Sequence, residues 1–449
     1  MSNHSTRRDF VRSTSLLAGG VLAAPLLSRA NYFSGADDAI KVAVVGCGGR
    51  GTGAAMQAIL TKENVKIVAL ADAFRDRLDG CYKSLTAEDM SDVTGKPGNL
   101  KHKVDVPEER KFTGFDAYKK AIALADVVIL ATPPGFRPLH FEEAVRMGKH
   151  VFMEKPVATD PAGVQKVLDA AAIAKQKKLN VVVGLQRRYQ NSYLELFKKK
   201  DLIGDITSAQ AWWNGDGVWV NARKPNQTEM EYQVRNWYYF VWLCGDHIAE
   251  QHIHNIDAVN WFKGAFPVKA TGMGGRQVRK GKDHGEIFDH HYVEFEYPDG
   301  SILNSQCRHW PKTPGKVDEL LVGTKGKIMC GRGAITDLKG NPLFQFDRQK
   351  ENNPYQAEHD VLFAAIAKGE YKFADAEHGA QSTLSSIIGR MATYSGQEIR
   401  ADKALASGLS LQPAVYAWDA KPPVMPDADG NYAIATPGIT KYFEGMAAR

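Results

Sequence analysis

Residues 40–51 read Ile40-Lys41-Val42-Ala43-Val44-Val45-Gly46-Cys47-Gly48-Gly49-Arg50-Gly51. The first six form a short, nearly continuous apolar run, the pattern of a strand buried on both faces, and the glycines that follow open a helical stretch through Leu60. A second apolar run, Val65 to Ala71, ends at Asp72, about 20 residues beyond the glycine loop. Strand, Gly-x-Gly-x-x-Gly, helix, strand and acid in that order form a βαβ unit of the kind that binds a dinucleotide; a glycine cluster outside that context would say little. Gly46 permits the tight turn, Gly48 lets the backbone approach a pyrophosphate, and Gly51 lets helix pack closely on strand. Gly49 and Arg50 begin the helix, whose free N–H groups face the phosphates. Asp72 suits a ribose diol and repels a 2′-phosphate, which favours NAD over NADP, although Arg50, Arg75 and Arg77 are close enough in sequence to serve a phosphate.

Beyond a polar excursion over 84–111, strand and helix patterns alternate. Asp126–Ala131 reads as a strand, Pro138–Met147 as a helix, His150–Met153 as a strand, Pro161–Lys175 as a helix and Asn180–Gly184 as a strand. That alternation specifies a parallel, doubly wound sheet. After Asn191 the pieces become longer and strand-like, such as Ser208–Trp213 and Tyr292–Tyr297, the latter followed by Pro298-Asp299-Gly300 and another strand, a hairpin signature. The expected fold is α/β: a Rossmann domain over 37–157, and a C-terminal α+β domain over 158–449 with a large, mostly antiparallel sheet. Some C-terminal segments are expected to pack back on the first domain.

The 449 residues are 44% hydrophobic and 24% charged, enough for two packed domains and far from the composition of a disordered chain. The net charge of +6 is scattered and no basic stripe carries interleaved aromatics, so nucleic-acid binding is not expected. Five cysteines without a Cys-x-x-Cys pair indicate neither a zinc knuckle nor a disulfide framework. Residues 1–36 read as a targeting segment. Arg7-Arg8-Asp9-Phe10 followed by an Ala/Gly-diluted apolar run from Ser15 to Leu27 resembles a twin-arginine export signal, with cleavage expected after Ala30 or Ala36. The run is shorter than a membrane span and contains Pro25, and no later run is long enough, so the mature protein is expected to be exported, periplasmic and free of the membrane. The export machinery implied by the resemblance carries proteins already folded, so a dinucleotide should leave with the protein and stay bound.

Three further stretches sharpen the reading: Ala131-Thr132-Pro133-Pro134, Met153-Glu154-Lys155-Pro156, and Gly245-Asp246-His247-Ile248-Ala249-Glu250-Gln251-His252-Ile253-His254-Asn255-Ile256-Asp257. With these the sequence resembles the glucose-fructose oxidoreductase, inositol dehydrogenase and rhizopine-catabolism (Gfo/Idh/MocA) family from Ile40 into the C-terminal region. The resemblance implies that Lys155, after Glu154, binds and polarises the reacting hydroxyl beside the nicotinamide, and that Thr132 and Pro133 flank the nicotinamide. The family's second motif places an acid and a histidine four residues apart; here these are Glu250, one methylene longer than usual, and His254, with Asp257 three residues on. On a continuous helix they share a face, where His254 takes the hydroxyl proton and Glu250 orients its ring. His247, Glu250 and His254 are also spaced to clasp a divalent metal, the lesser reading beside no metal at all. Arg188 and Tyr189 fall where the family lines its substrate pocket, and either suits a domain interface equally. Trp212, Trp213, Trp219, Trp237 and Tyr238 make the middle of the chain aromatic, suited to sugar rings or to a core.

The expected function is an oxidoreductase with tightly bound NAD(H) acting at a secondary hydroxyl of a sugar or glycoside, Lys155 and His254 forming the acid–base pair. The alternative is an NAD-dependent glycosidase working by oxidation, elimination and reduction. Relatives with that activity carry a Thr-His-Gly-Leu-Gly-Pro type stretch that is not found here. The resemblance also implies a homo-oligomer.

Overall fold

The computed structural model describes residues 38–91 and 98–443; the expected export leader lies outside the described residues. The first half of the fold runs β1 (Ile40–Val45), α1 (Gly49–Leu60), β2 (Val65–Asp72), α2 (Arg75–Leu85), β3 (Lys111–Thr113), α3 (Ala117–Ala123), β4 (Val127–Leu130), α4 (Arg137–Arg146), β5 (His150–Met153), α5 (Pro161–Gln176) and β6 (Val181–Val183). Its six strands are all parallel, in the order β3-β2-β1-β4-β5-β6. The order reverses between β1 and β4, which opens a crevice at the carboxyl edge of the sheet. The polar excursion over 84–111 returns as the edge strand β3, which the sequence pattern did not indicate. The parallel sheet also runs past residue 157, because β6 pairs with β5.

Each strand is apolar on both faces because helices cover both. Val42, Val44, Ile67, Ile129 and Phe152 share one buried cluster with residues of α1, α2 and the later helix Pro354–Ala367, while Ala43, Val45, Val128, Val151 and Val183 share another with residues of α3, α4, α5 and the later helix Ala376–Ser395. A fully buried side chain of this kind contributes roughly 1.5–3 kcal/mol. α5 begins where Asp160 accepts the Gly163 N–H at 2.7 Å, with Pro161 in its first turn.

The second half adds α6 (Asn191–Lys198), β7 (Ile206–Gly215), α7 (Glu229–Arg235), α8 (Val241–Cys244), α9 (His247–Glu250), α10 (Ile253–Lys263), β8 (Lys269–Gly275), β9 (His290–Glu296) and β10 (Ile302–His309). It continues with β11 (Lys316–Gly323), β12 (Gly326–Met329), β13 (Ala334–Asp337), β14 (Pro342–Gln345), α11 (Pro354–Ala367), α12 (Ala376–Ser395), β15 (Ile399–Arg400) and α13 (Ala401–Ala406). The nine strands order as β14-β13-β12-β11-β7-β10-β9-β8-β15, antiparallel except for the β10–β7 pair. The Pro298-Asp299-Gly300 turn closes the β9–β10 hairpin as its composition predicts. Two C-terminal helices return to the first domain: α11 places Leu362, Phe363 and Ile366 beneath the parallel sheet, and α12 lies between α5 and strands β8 and β9. One core therefore runs through both sheets, from Val164 on α5 to Ile387 on α12 and Val293 on β9. Among the described residues no helix is long and apolar enough to cross a membrane. All five cysteines are buried and free.

The glycine loop behaves as its spacing requires. Gly46 has φ +96°, and a Cβ on Gly51 would lie 1.7 Å from the Gly46 carbonyl oxygen, whereas Cβ atoms on Gly48 and Gly49 would meet nothing within 4 Å. Gly51→Ala is thus expected to destabilise the fold by about 1–3 kcal/mol and lower the thermal midpoint. Gly48→Ala is expected to stay within about 0.5 kcal/mol of the wild type. Equal midpoints for the two variants would contradict this packing.

Candidate active site and dinucleotide cleft

The functional edge is set by strand register. Ala71, Val45, Leu130 and Met153 lie in one row across β2, β1, β4 and β5, and Met153 pairs with Val183 on β6. The residues that leave the sheet just beyond this row, Asp72, Gly46, Ala131 and Glu154, therefore emerge side by side, with Gly184 following on β6. A cleft of about 510 Å³ opens there, within the roughly 300–1,000 Å³ usual for small-molecule sites. Of the residues read as cofactor-binding, Gly46, Gly48, Gly49, Arg50, Asp72, Thr132 and Pro133 line it, Glu154 and Lys155 lie outside the lining, and Gly51 packs beneath the turn. Residues of the second domain complete the wall, among them Trp219, Asn221, Arg235 and Trp237.

Asp72 is tied to the loop it serves. Its two oxygens accept the Cys47 N–H at 2.6 Å and the Phe74 N–H at 2.9 Å, and burial raises its carboxyl above the ordinary range against these bonds. The bare backbone at Gly48 and Gly49, the helix N-terminus and Asp72 fit a dinucleotide's pyrophosphate and ribose. Thr132 Oγ1 lies 3.1 Å from His140 Nδ1, and burial with the Arg137 charge holds that histidine down to about 3, so it is neutral. Arg50 donates to Glu154 Oε1 at 2.5 Å and to Gln57 Oε1 at 2.8 Å, with its guanidinium 5.2 Å from the Tyr355 ring centre.

Lys155 and Glu250 meet. Lys155 Nζ donates to the Glu250 backbone carbonyl at 2.6 Å and to Oε1 at 3.0 Å, in a part-buried setting outside the cleft lining. The Lys155–Pro156 peptide is cis. His254 is buried, its Nδ1 has no hydrogen-bond partner, and its ring stacks on Trp213 at 5.9 Å. Burial, then the Lys155 and Arg187 charges, hold it well below the ordinary histidine range. The expected relay from Glu250 to His254 differs in detail: no hydrogen bond joins them, because the continuous helix assumed from the spacing is interrupted between α9 and α10. Glu250 turns to Lys155 instead.

The same interruption separates the expected metal set, so His247, Glu250 and His254 do not converge. Among the described residues the one group of His, Cys, Asp and Glu whose ligand atoms do converge is Asp246, His247 and His291, all buried. Asp246 is already engaged. It accepts the His247 N–H at 2.5 Å, the Phe288 N–H at 3.0 Å and the Tyr394 hydroxyl at 2.5 Å, and His247 Nδ1 lies 2.8 Å away. This is a hydrogen-bonded partner for His247, whose imidazole, against the effect of burial, is raised to about 10 by Cys307 and Asp246. It knits α9 to β9 and α12.

Arg188 and Tyr189, read as either substrate-pocket or interface residues, both engage buried or part-buried acids. Arg188 makes a two-pronged pair with buried Asp257 at 2.9 and 2.8 Å, and Tyr189 donates to Asp375 Oδ2 at 2.5 Å. Removing one partner of a buried pair costs about 3–5 kcal/mol. Two charged residues near the site had no sequence signal. Arg137, fully buried, donates to Leu130 O at 2.6 Å and Pro156 O at 3.4 Å, bracing the Glu154-Lys155-Pro156 turn against β4; burial lowers it to about 10. Glu358 on α11 lies 3.9 Å from Arg50 with both oxygens buried and unpartnered, so burial and the Glu154 charge push its carboxyl well up.

Residues 40–185 match the sequence model GFO_IDH_MocA, an oxidoreductase family with an NAD-binding Rossmann fold. The chain is 27% identical over 210 residues to a 2,7-anhydro-N-acetylneuraminate hydratase of Escherichia coli (46% of this chain, 51% of that protein). It is 26% identical over 391 residues to an inositol 2-dehydrogenase of Agrobacterium fabrum (84% and 99%). The matched region thus spans about half the length of the first of these relatives. Two solved structures share the fold, each with TM-score 0.59 over 81% of this chain and 100% of theirs. They are aldose-aldose oxidoreductase from Caulobacter crescentus, 18% identical, and scyllo-inositol dehydrogenase from Lactobacillus casei with bound NAD(H) and scyllo-inositol, 19% identical. Family-model match, strand order and the glycine-lined cleft agree: residues 40–185 form a Rossmann fold similar to that of the NAD-binding Gfo/Idh/MocA oxidoreductases.

Proposed function

We propose that the protein is an oxidoreductase with resident NAD(H) acting on a secondary hydroxyl of a sugar or glycoside. One observation carries this reading: Lys155 leaves β5 beside the glycine-lined cleft, held by Glu250, with neutral His254 among the groups around it. Relatives named as inositol dehydrogenases act on a ring polyol, which suits the same chemistry. Bound in the cleft, the nicotinamide would supply a hydride acceptor that must be restored by a carbonyl substrate before the next turnover. Lys155 would donate to the carbinol oxygen and stabilise negative charge on it. Glu250 serves as a positioning residue that holds the ammonium through two oxygens. His254, kept unprotonated by burial, would accept the hydroxyl proton. Asp72 favours NAD over NADP through repulsion of a 2′-phosphate. The leader read in residues 1–36 would place this chemistry outside the cytoplasm, where retention of the cofactor matters.

The reading is tested by purifying the protein, measuring released NAD(H) after denaturation, and following reduced-nicotinamide absorbance with a panel of sugars and glycosides. Bound NAD(H) whose absorbance changes on adding a sugar is expected; a protein that never binds it would overturn the reading. Release of an aglycone would instead promote the oxidation–elimination–reduction route. Lys155→Ala is expected to lower kcat by about 10²–10⁴-fold with cofactor content unchanged. The pH dependence follows from sign. A histidine whose folded pKa is depressed keeps its base form to lower pH, so the acid limb of kcat/KM should fall below pH ~6.5, the ordinary histidine value. An acid limb centred at or above that value would remove His254 from the role of base.

A further inference from the structure

The other domain contributes part of the cleft wall. Beyond Asp72, where a dinucleotide's adenosine ribose belongs, the wall is made by Phe74, Arg77 and Phe115 of the Rossmann domain and by Val234 and Arg235 at the end of α7. Arg235 reaches across to Asp76 with two hydrogen bonds, 3.2 and 3.1 Å, and its guanidinium lies 3.8 Å from the Phe74 ring centre.

Both sides of this contact are braced. α7 is capped by Thr228, which accepts the Glu231 N–H, and the neighbouring Asn221 side chain donates to the Arg235 carbonyl at 2.7 Å. Gln233 donates to the Val424 carbonyl at 2.8 Å and accepts from the Trp242 indole at 2.7 Å. On the Rossmann side, Trp418 of the C-terminal tail packs behind Phe74 and Phe115 at 5.1 and 4.3 Å. The guanidinium of Arg235 therefore joins two well-supported walls across the cleft.

Resting on the dinucleotide reading above, we propose that Arg235, closing on Asp76 and Phe74, latches the adenosine half of the cofactor inside the protein so that it is retained between turnovers. Opening this end requires the guanidinium to leave both partners. Neither Arg235 nor Asp76 belongs to the Lys155 constellation, so the latch sets residence rather than chemistry.

The test uses the full-length protein. Bound NAD is chased with excess etheno-NAD, and fluorescence gives the exchange rate for wild type, Arg235→Ala, Asp76→Asn and the double variant. Each single substitution is expected to speed exchange at least tenfold, equivalent to about 1.4 kcal/mol, and the double variant no more than the faster single one. Arg235→Lys should restore part of the slow exchange. Asp76→Asn alters a largely exposed side chain and guards against misfolding of the arginine variant. Exchange at the wild-type rate in both singles, or strictly additive effects, would overturn the latch. Wild-type protein that binds no dinucleotide would defeat the underlying reading and the latch with it; binding with unchanged exchange defeats the latch alone.

Discussion

The row Ala71–Val45–Leu130–Met153–Val183 is the constraint on which the site depends. Each residue beyond it continues the ladder: the Gly46 N–H donates to Ala71, Ala131 to Val45, Glu154 to Leu130 and Gly184 to Met153, all at 2.8–2.9 Å. Parallel strands in one register deliver their following loops to one edge. Four segments far apart in sequence thus supply the glycine turn, Asp72, the Thr132–Pro133 loop and Lys155. A one-residue slip in any strand would turn its side chains to the opposite face and scatter the group.

Around that edge, charge is managed by burial with compensation. Lys155 is held by Glu250, Arg50 by Glu154, Arg188 by Asp257 and Arg187 by Glu319, so the cations keep their counter-ions out of bulk water. Histidines without an anion, such as His140 and His254, are left neutral instead. His247 is the exception: against burial, Cys307 and Asp246 raise its imidazole deep in the second domain. The site region thus holds both fixed charges and a neutral imidazole.

The second domain is also part of the cleft. The aromatic cluster of Tyr232, Tyr238, Phe240 and Trp242 supports the segment that overhangs it, and Phe136 of the Rossmann domain belongs to the same cluster. The tail packs Tyr416 and Trp418 against that group, joining the end of the chain to the beginning of the fold. A shared core that includes Val164 and Ile387 joins the two sheets.

Local sequence determined the strand, glycine turn, helix, strand and acid of residues 40–72, the alternation through β6 and the β9–β10 hairpin. Each rests on periodicity or on backbone conformations imposed within a few residues. The same locality explains where spacing was insufficient: Glu250 and His254 are four apart, yet the break before Ile253 separates their roles. Only the tertiary structure decided that Glu250 holds Lys155, that Arg188 and Tyr189 engage Asp257 and Asp375, that Arg137 and Glu358 stand behind the lysine turn and the glycine loop, and that Arg235 spans the cleft. Those outcomes follow from compensating buried charge and filling space, and both depend on neighbours that the chain brings together only by folding.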